Sequence, residues 1–177
     1  MKWKLIKRKR VFRSKFINVY EDTVKLPNGH MIDDYTVVEK PDVVIVVAID
    51  SKNKVAVLRE YKHAAGNFLL TLPAGHIEDG ESPVDAAKRE LVEETGYIAN
   101  RLKLVGVLRE YPTKDLHKVY VVKATEIKAK GKQKLEETET FNRVRFASAG
   151  DIKKQIAAKK WQASSALSAL MISGFLL

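Results

Sequence analysis

The acidic run at residues 75–97, GHIEDGESPVDAAKRELVEETGY, constrains the fold of this chain more than any other segment. Glycines stand near both ends of the run, and carboxylates are spread along the segment between them. Ser82 is a residue type that caps helices, Pro83 suits the first helical position, and Gly96 suits the residue that ends a helix. The run therefore predicts a short loop followed by a helix over residues 82–95.

Carboxylates are concentrated on this predicted helix and on the loop before it. At about 3.6 residues per turn, the apolar residues form one core-facing arc and the glutamates lie opposite. The apolar arc holds Val84, Ala87, Leu91 and Thr95, and the acidic arc holds Glu90, Glu93 and Glu94. Carboxylates about 4 Å apart repel by ~4 kcal/mol at an effective dielectric of about 20, and Arg89 offsets part of this. Such oxygen ligands suit Mg²⁺ or Mn²⁺, whereas a solvated acidic face is the alternative.

The composition limits the classes of protein that this chain can belong to. The 177 residues suit one main domain with a substantial core. The absence of cysteine excludes disulfides and thiolate metal sites, and it fits a reducing compartment. No apolar run reaches the roughly 18 residues needed to cross a bilayer, and no signal-peptide pattern follows the basic N-terminus. We therefore expect a cytoplasmic protein.

The positive charge is concentrated at the start of the chain. Residues 1–15 hold eight lysines and arginines and no acid, so they supply +8 of the net charge of +10. Such an arm can bind nucleic acid or another acidic surface. The alternative is a solvated edge strand, because Trp3, Leu5, Val11 and Ile17 fall on odd positions among the cations, and lysine on an edge strand discourages aggregation. We favour the edge strand.

The remaining sequence alternates between strand and helix patterns. A hairpin is expected at residues 16–38 with its turn at 27–29, and β-branched apolar runs predict buried strands. The strands are expected at 42–50, 55–61, 68–72, 102–110, 118–123 and 141–146, and two final helices at 149–160 and 164–175. Strands on both sides of a central helix predict an α/β (α+β) fold, with a mixed sheet between helices. We divide the chain into a basic arm and hairpin at 1–40 and a main domain at 41–177.

The acidic run resembles the Nudix box, Gly-x5-Glu-x7-Arg-Glu-U-x-Glu-Glu-x-Gly-U, in which U is aliphatic. The matching residues are Gly75, Glu81, Arg89, Glu90, Leu91, Glu93, Glu94 and Gly96, and Tyr97 replaces the last aliphatic residue. The approach to the box, REYKHAAGNFLLTLPAGHIEDGE, is similar to that of ADP-ribose pyrophosphatases in this superfamily, as is the proline 15 residues past the box. This resemblance implies a Nudix-type α/β/α sandwich and hydrolysis of ADP-ribose to AMP and ribose 5-phosphate.

The resemblance also implies roles for individual residues. Metal ions, Mg²⁺ or Mn²⁺, would be bound by Glu90 and Glu94, joined by Glu93 and the carbonyl of Ala74, with Glu78 at a further metal position. Glu81 and Arg89 would form an ion pair between loop and helix. Glu137 or Glu139 would be the catalytic base, although a solvated acidic loop explains either residue equally well. Lys62, Arg109 and Pro112 would contact substrate, although a strand end explains Lys62 and Arg109 as well.

The resemblance leaves the substrate and the assembly open. Thr71 stands where the subfamily often has a glutamate, and Thr113 follows the proline where a glycine is common. Diadenosine polyphosphates, another nucleotide sugar or a capped RNA end are therefore alternative substrates. A non-catalytic ligand-sensing or nucleic-acid-binding module is disfavoured, because no glutamate of the box is lost. The resembled enzymes imply a homodimer formed through residues 1–40, in which residues 35–40 could contact the adenine.

Overall fold

A computed structural model describes residues 1–129, 131 and 144–177 of the chain. The chain forms two compact units. One unit contains Met1–Asp42 together with Arg109–Lys118, and the other contains Val43–Leu108 together with Val119–Leu177. None of the helices in the described part of the chain is long and apolar enough to cross a membrane. The functional division at residue 40 stays a prediction.

The first unit is an antiparallel sheet of three strands in sequence order. Its strands are β1 (Lys4–Arg13), β2 (Asn18–Lys25) and β3 (Met31–Glu39). The predicted hairpin is present as β2 and β3, and Gly29 adopts the left-handed φ of 89° that its turn requires. The basic arm is indeed an edge strand, β1. The segment Arg109–Lys118 joins β3 through hydrogen bonds at Val38, which donates to the Lys114 carbonyl at 2.8 Å and accepts from the Leu116 amide at 2.9 Å.

The second unit contains two further sheets and three helices. Its strands are β4 (Val43–Ala48), β5 (Val55–Lys62), β6 (Asn67–Thr71), β7 (Ala74–His76), β8 (Tyr97–Leu108), β9 (Val119–Ala129) and β10 (Arg145–Ala147). The helices are α1 (Pro83–Thr95), α2 (Ala149–Ala157) and α3 (Ser164–Ile172). One sheet has the order β7-β4-β9-β8, and it is mixed because β4 and β9 are parallel. The other sheet is antiparallel, with the order β10-β5-β6.

Strand β4 has apolar residues on both faces because helices cover both sides of its sheet. Val44 and Val46 pack in one buried cluster with Leu91 of α1. Ile45 and Val47 pack in a second cluster, which includes Ile152 of α2 and Ala169 and Leu170 of α3. A two-faced central strand is what a continuous β-branched run predicts. The layered α/β/α arrangement expected for this unit is therefore confirmed.

Several elements differ in extent from their predictions. Strands β8 and β9 are longer than expected, because they pair antiparallel over their whole length. Tyr97 is opposite Ala129 at one end of the pair, and Leu108 is opposite Val119 at the other. Helices α2 and α3 end about three residues early, at Ala157 and Ile172. The strand β7 was not predicted at all, because three residues are too few to show an alternating pattern. The expected strand at 141–146 is described only from residue 145.

Candidate active site

The helix α1 begins and ends at the residues that the sequence marks. Ser82 Oγ accepts a hydrogen bond from the Asp85 amide at 3.2 Å, and Pro83 occupies the first turn. Gly96 adopts a left-handed φ of 73°, and its amide donates to the Val92 carbonyl at 2.8 Å. These caps fix the length of the helix and therefore the positions of the glutamates along it.

Arg89 connects the loop, strand β7 and helix α1. Its Nε and Nη2 donate to the two carboxylate oxygens of Glu81 at 3.1 and 3.0 Å. Nη2 also donates to the His76 carbonyl at 2.9 Å. Nη1 donates to Glu90 at 2.6 Å and to Glu93 at 3.2 Å. A guanidinium has five N–H donors, so these five bonds use its whole capacity, and the predicted ion pair between Glu81 and Arg89 is confirmed.

The charges at this junction shift the titration of its members. The hydrogen bonds from Arg89 hold the pKa of Glu81 below its ordinary value, and the amide of Glu78 adds to that effect. The pKa of Arg89 is raised, first by its hydrogen bond with Glu81 and then by its contact with Glu90. Both shifts favour the charged forms, so the ion pair persists at neutral pH.

Glu90 and Glu94 are buried next to strand β7, with exposed fractions of 6% and 2%. Glu94 Oε2 accepts a hydrogen bond from the Ala74 amide at 2.8 Å. The carboxylate of Glu90 lies so close to Gly75 that a Cβ there would stand 1.9 Å from its Oε1. The glycine of the box is therefore required by close approach, because only a residue without a side chain leaves this space.

The prediction that all three helix glutamates lie opposite the core is wrong for Glu90 and Glu94. Both are buried, and they are one turn apart beside the apolar face that holds Leu91. Glu93 does point outward, since its side chain is 40% exposed. The error arose because strand β7, which faces the two buried glutamates, was not predicted from the sequence.

The chemistry of the donor set fits a hard divalent cation. Two buried carboxylates, from Glu90 and Glu94, lie beside the backbone of β7, and oxygen donors of this kind are what Mg²⁺ and Mn²⁺ prefer. Glu93 is linked to Glu90 through Arg89 Nη1. Glu78 is exposed, and its amide donates to Glu81. In the described residues no three His, Cys, Asp or Glu side chains already form a metal-holding group.

The residues expected to contact substrate are divided between the two units. Lys62, at the end of β5, forms an ion pair with Glu60 in the second unit. Arg109 Nη1 donates to the Leu116 carbonyl at 2.6 Å, and Pro112 is exposed, both in the first unit. The two candidates for the catalytic base, Glu137 and Glu139, lie outside the described residues. Two groups that the sequence did not indicate also make contacts here: the Glu60 side chain pairs with Lys62, and the His76 carbonyl accepts from Arg89.

Two family models together match most of the chain. The model of the NUDIX domain matches residues 39–167. The model of the nucleoside diphosphate sugar hydrolase N-terminal domain matches residues 3–38. The first of these matches spans more than half of the chain and includes β4, the box, α1, α2 and the first four residues of α3.

Known proteins resemble the chain over similar ranges. The ADP-ribose pyrophosphatase of Bacillus subtilis (strain 168) is 32% identical over 137 residues, which are 77% of this chain and 74% of that protein. The methanol dehydrogenase activator of Bacillus methanolicus is 35% identical over 100 residues, 56% of this chain and 54% of that protein. The chain thus spans about half the length of the latter. The crystal structure of an ADP compounds hydrolase has a TM-score of 0.83 and covers 98% of this chain and 93% of its own, and at 23% identity this likeness shows the fold.

Proposed function

From the premise that the chain belongs to the Nudix hydrolase family, we propose that it hydrolyses the pyrophosphate bond of ADP-ribose to AMP and ribose 5-phosphate. The observation that carries this proposal is the pair of buried carboxylates beside β7. Glu90 lies against Gly75, and Glu94 accepts a hydrogen bond from Ala74. Two buried carboxylates on adjacent helical turns present the hard oxygen donors that divalent cations prefer, and a diphosphate substrate brings such cations with it.

Hydrolases of this family generally depend on a divalent metal ion. We propose Mg²⁺ or Mn²⁺ for this chain, held by Glu90 and Glu94 with Glu93, the Ala74 carbonyl and Glu78 completing the sites. Such an ion lowers the pKa of bound water and neutralises charge on phosphate oxygens. The hydrogen bond from the Ala74 amide to Glu94 Oε2 holds that carboxylate against strand β7.

Arg89 acts in this proposal as a positioning residue. Its Nη1 contacts both Glu90 and Glu93, while its Nε and Nη2 anchor it to Glu81. Because all five donors are engaged, the guanidinium has one orientation, and it fixes the rotamers of the glutamates around it. For the catalytic base we propose Glu137 or Glu139, as the sequence indicates. For contacts with the substrate we propose Lys62, Arg109 and Pro112.

The choice of ADP-ribose rests on relatives. The relatives include proteins described as ADP-ribose pyrophosphatases from Bacillus subtilis and from Mycobacterium tuberculosis, the latter 33% identical over 112 residues. Another nucleoside diphosphate sugar is a second candidate, because residues 3–38 match the N-terminal domain of nucleoside diphosphate sugar hydrolases. A protein described as an ADP-sugar pyrophosphatase from Mus musculus, 54% identical over 43 residues, supports the same candidate.

Product analysis tests the substrate proposal. Purified protein is incubated with ADP-ribose, ADP-glucose or a diadenosine polyphosphate, with Mg²⁺, Mn²⁺ or a chelator, and nucleotides are separated by chromatography. We expect metal-dependent release of AMP and ribose 5-phosphate, fastest with ADP-ribose. Faster release from ADP-glucose would favour the second candidate, and no release from any substrate would contradict both.

Substitution of the helix glutamates tests the metal proposal. We expect Glu93→Gln and Glu94→Gln each to lower metal-dependent turnover by at least about 100-fold, because each removes a negative oxygen ligand without changing side-chain size. Glu126→Gln is the matched control, since Glu126 pairs with Arg101 on the surface of β9. Circular dichroism checks the fold of each variant. Unchanged rates in either helix variant would contradict the assigned role.

We further propose that the chain is a cytoplasmic homodimer. The absence of cysteine fits a reducing compartment. Exposed apolar residues on and next to β1, which include Trp3, Leu5 and Phe16, are available to a second copy. Light scattering after size-exclusion chromatography, with the full chain and with residues 1–15 removed, tests the assembly. A monomeric full chain at micromolar concentration would contradict it.

A further inference from the structure

The lysines and the arginines of β1 lie on opposite faces of its sheet. Residues directly opposite one another in an antiparallel pair point to the same side. Arg8 and Arg10 are opposite Asp22 and Tyr20, whereas Lys7 and Lys9 are opposite Thr23 and Glu21. Lys4 is opposite Lys25 of β2. We call the surface formed by Lys4, Lys7, Lys9 and Lys25 the lysine face.

Two irregularities in the pairing produce this separation. The register between β1 and β2 shifts between Leu5 and Lys7, and again between Arg10 and Phe12. A strict period of two would place Lys4 and Lys7 on opposite faces, because they are three positions apart. The first shift returns Lys7 to the side of Lys4, and the second brings Phe12 to the side of Lys9. The bulges therefore gather the lysines on one surface with one aromatic ring.

On the arginine side of the sheet, the charge of Arg8 is neutralised within the protein. Arg8 donates to both carboxylate oxygens of Asp22 at 2.7 and 2.6 Å, and its guanidinium lies 4.9 Å from the centre of the Tyr20 ring. Glu39 lies on the same side, where it accepts from Tyr20 at 2.6 Å and from Asn18 at 2.8 Å. These contacts make Arg8, Asp22 and Glu39 part of the fold on that side.

The lysines of the opposite face form no such contacts. None of the four forms an ion pair with any residue that the structure describes, and all four are exposed. The acids on this side are Glu21 of β2 and the exposed Asp33 and Asp34 of β3, which stand between Ile32 and Tyr35, so the positive charge of this side is concentrated along β1. Lys4 and Lys25 are directly opposite, an arrangement that is unfavourable for like charges. Phe12, 54% exposed, lies at one end of the face.

We infer that the lysine face binds the phosphate backbone of single-stranded nucleic acid, and that Phe12 stacks on a base. A row of lysines along an exposed strand follows an extended polyanion, and an aromatic ring beside such a row is the usual means of holding unpaired bases. Lysine supplies point charges without the forked geometry of arginine, so the expected binding does not depend on sequence. This surface and the carboxylate pair of α1 are formed by different residues, and the inference does not depend on the hydrolase activity.

Fluorescence anisotropy with the full-length chain tests this inference. The probe is a fluorescein-labelled 15-nucleotide oligo(U) RNA, titrated at several KCl concentrations in EDTA so that metal-dependent hydrolysis is absent. With four phosphate contacts, the slope of log Kobs against log[salt] is expected to be about −3. The triple variant Lys4→Gln, Lys7→Gln, Lys9→Gln should bind at least about tenfold more weakly, with a slope of about −1. Absence of RNA binding by the wild-type chain at 50 mM KCl overturns the inference.

A matched triple variant separates the face from the net charge. Lys52→Gln, Lys88→Gln, Lys153→Gln removes the same charge from exposed lysines of the second unit. We expect its RNA affinity to remain within about twofold of wild type, and equal losses in the two triple variants would overturn the assignment to this face.

Phe12→Leu separates nucleic acid from other polyanions. The substitution keeps an apolar side chain but removes the ring, so it should weaken RNA binding at least about fivefold and leave heparin binding unchanged. An equal effect on both ligands, or binding to phosphatidylserine vesicles without binding to RNA, would overturn the inference.

Discussion

The substitution Gly75→Ala is expected to lower the rate of catalysis strongly while leaving the chain folded. The added Cβ would stand 1.9 Å from Oε1, 2.2 Å from Cδ and 2.6 Å from Oε2 of Glu90. Cβ contacts below 3.0 Å essentially do not occur in proteins, so Oε1 must retreat by about 1.1 Å from 1.9 Å to reach that limit. A displacement of about 1 Å in a catalytic group costs about 100-fold in rate. We therefore expect kcat for ADP-ribose to fall by about 100-fold.

The same displacement has a smaller effect on stability. Glu90 must move away from Arg89 Nη1, to which it is hydrogen-bonded at 2.6 Å. A hydrogen bond to a charged group contributes about 1.5–3 kcal/mol, which bounds the expected loss in the free energy of unfolding. Chemical denaturation measures that loss, and calorimetric titration with Mn²⁺ measures the accompanying loss of metal affinity. Gly150→Ala in α2 is the control, because its Cβ would meet only Ser148 Oγ at an ordinary 3.8 Å.

A double variant tests whether the clash with Glu90 is the cause. Glu90→Asp shortens the side chain by one methylene, about 1.5 Å, which is enough to relieve the contact with a Cβ at position 75. In the Gly75→Ala background, Glu90→Asp should therefore cause no further loss of kcat, although it lowers kcat in the wild-type background. Independent, multiplicative losses would show that the two positions do not interact, and the steric argument would be refuted. Wild-type activity in Gly75→Ala would refute it directly.

Three further predictions follow from contacts of the second unit. Arg89→Lys keeps the charge but cannot make the paired bonds to Glu81, so melting temperature and kcat should both fall, as measured by calorimetry and steady-state kinetics. The hydrogen bonds from Arg89 lower the pKa of Glu81 in the folded state from its ordinary value of 4.5. The ionised carboxylate therefore stabilises the fold fully above pH 4.5, and this stabilisation is lost as the pH falls through the lower pKa of the folded state. The stability difference between wild type and Glu81→Gln should accordingly vanish in acid denaturation experiments below that window, and a constant difference would contradict this. Gly106→Ala places a Cβ 2.7 Å from Ile172 Cγ2, so it should destabilise the chain by about 1–3 kcal/mol without changing the rate constant of the folded enzyme.

Local sequence signals were sufficient for the elements whose ends are defined by particular residue types. The helix α1 starts after Ser82 and ends before Gly96 because a hydroxyl cap and a left-handed glycine are each nearly independent of the rest of the fold. The pairing of Glu81 with Arg89 was also predictable, since the resemblance to the Nudix box implies it and both residues lie in one loop-helix segment. These predictions needed no knowledge of tertiary contacts.

The features that the sequence did not reveal depend on contacts between distant segments. Strand β7 exists because Val43, Val44 and Ile45 of β4 pair with it, and three residues carry no periodic signal of their own. Without β7 the helical periodicity alone assigned Glu90 and Glu94 to the side away from the core, although both are buried. A backbone carbonyl such as that of His76, which binds Arg89, is likewise invisible to residue type. Burial of charged residues therefore had to come from the tertiary structure.

The placement of Arg89 explains how buried glutamates remain compatible with a stable fold. A carboxylate removed from water is costly unless it is paired, and Glu90 receives one bond from Arg89 Nη1 at 2.6 Å. The same nitrogen contacts Glu93 at 3.2 Å, so one guanidinium nitrogen holds two carboxylates of the helix. Arg89 also bonds both carboxylate oxygens of Glu81, which anchors the guanidinium to the loop. A single arginine thus stabilises the fold and orders the carboxylates that we propose as ligands of a divalent ion.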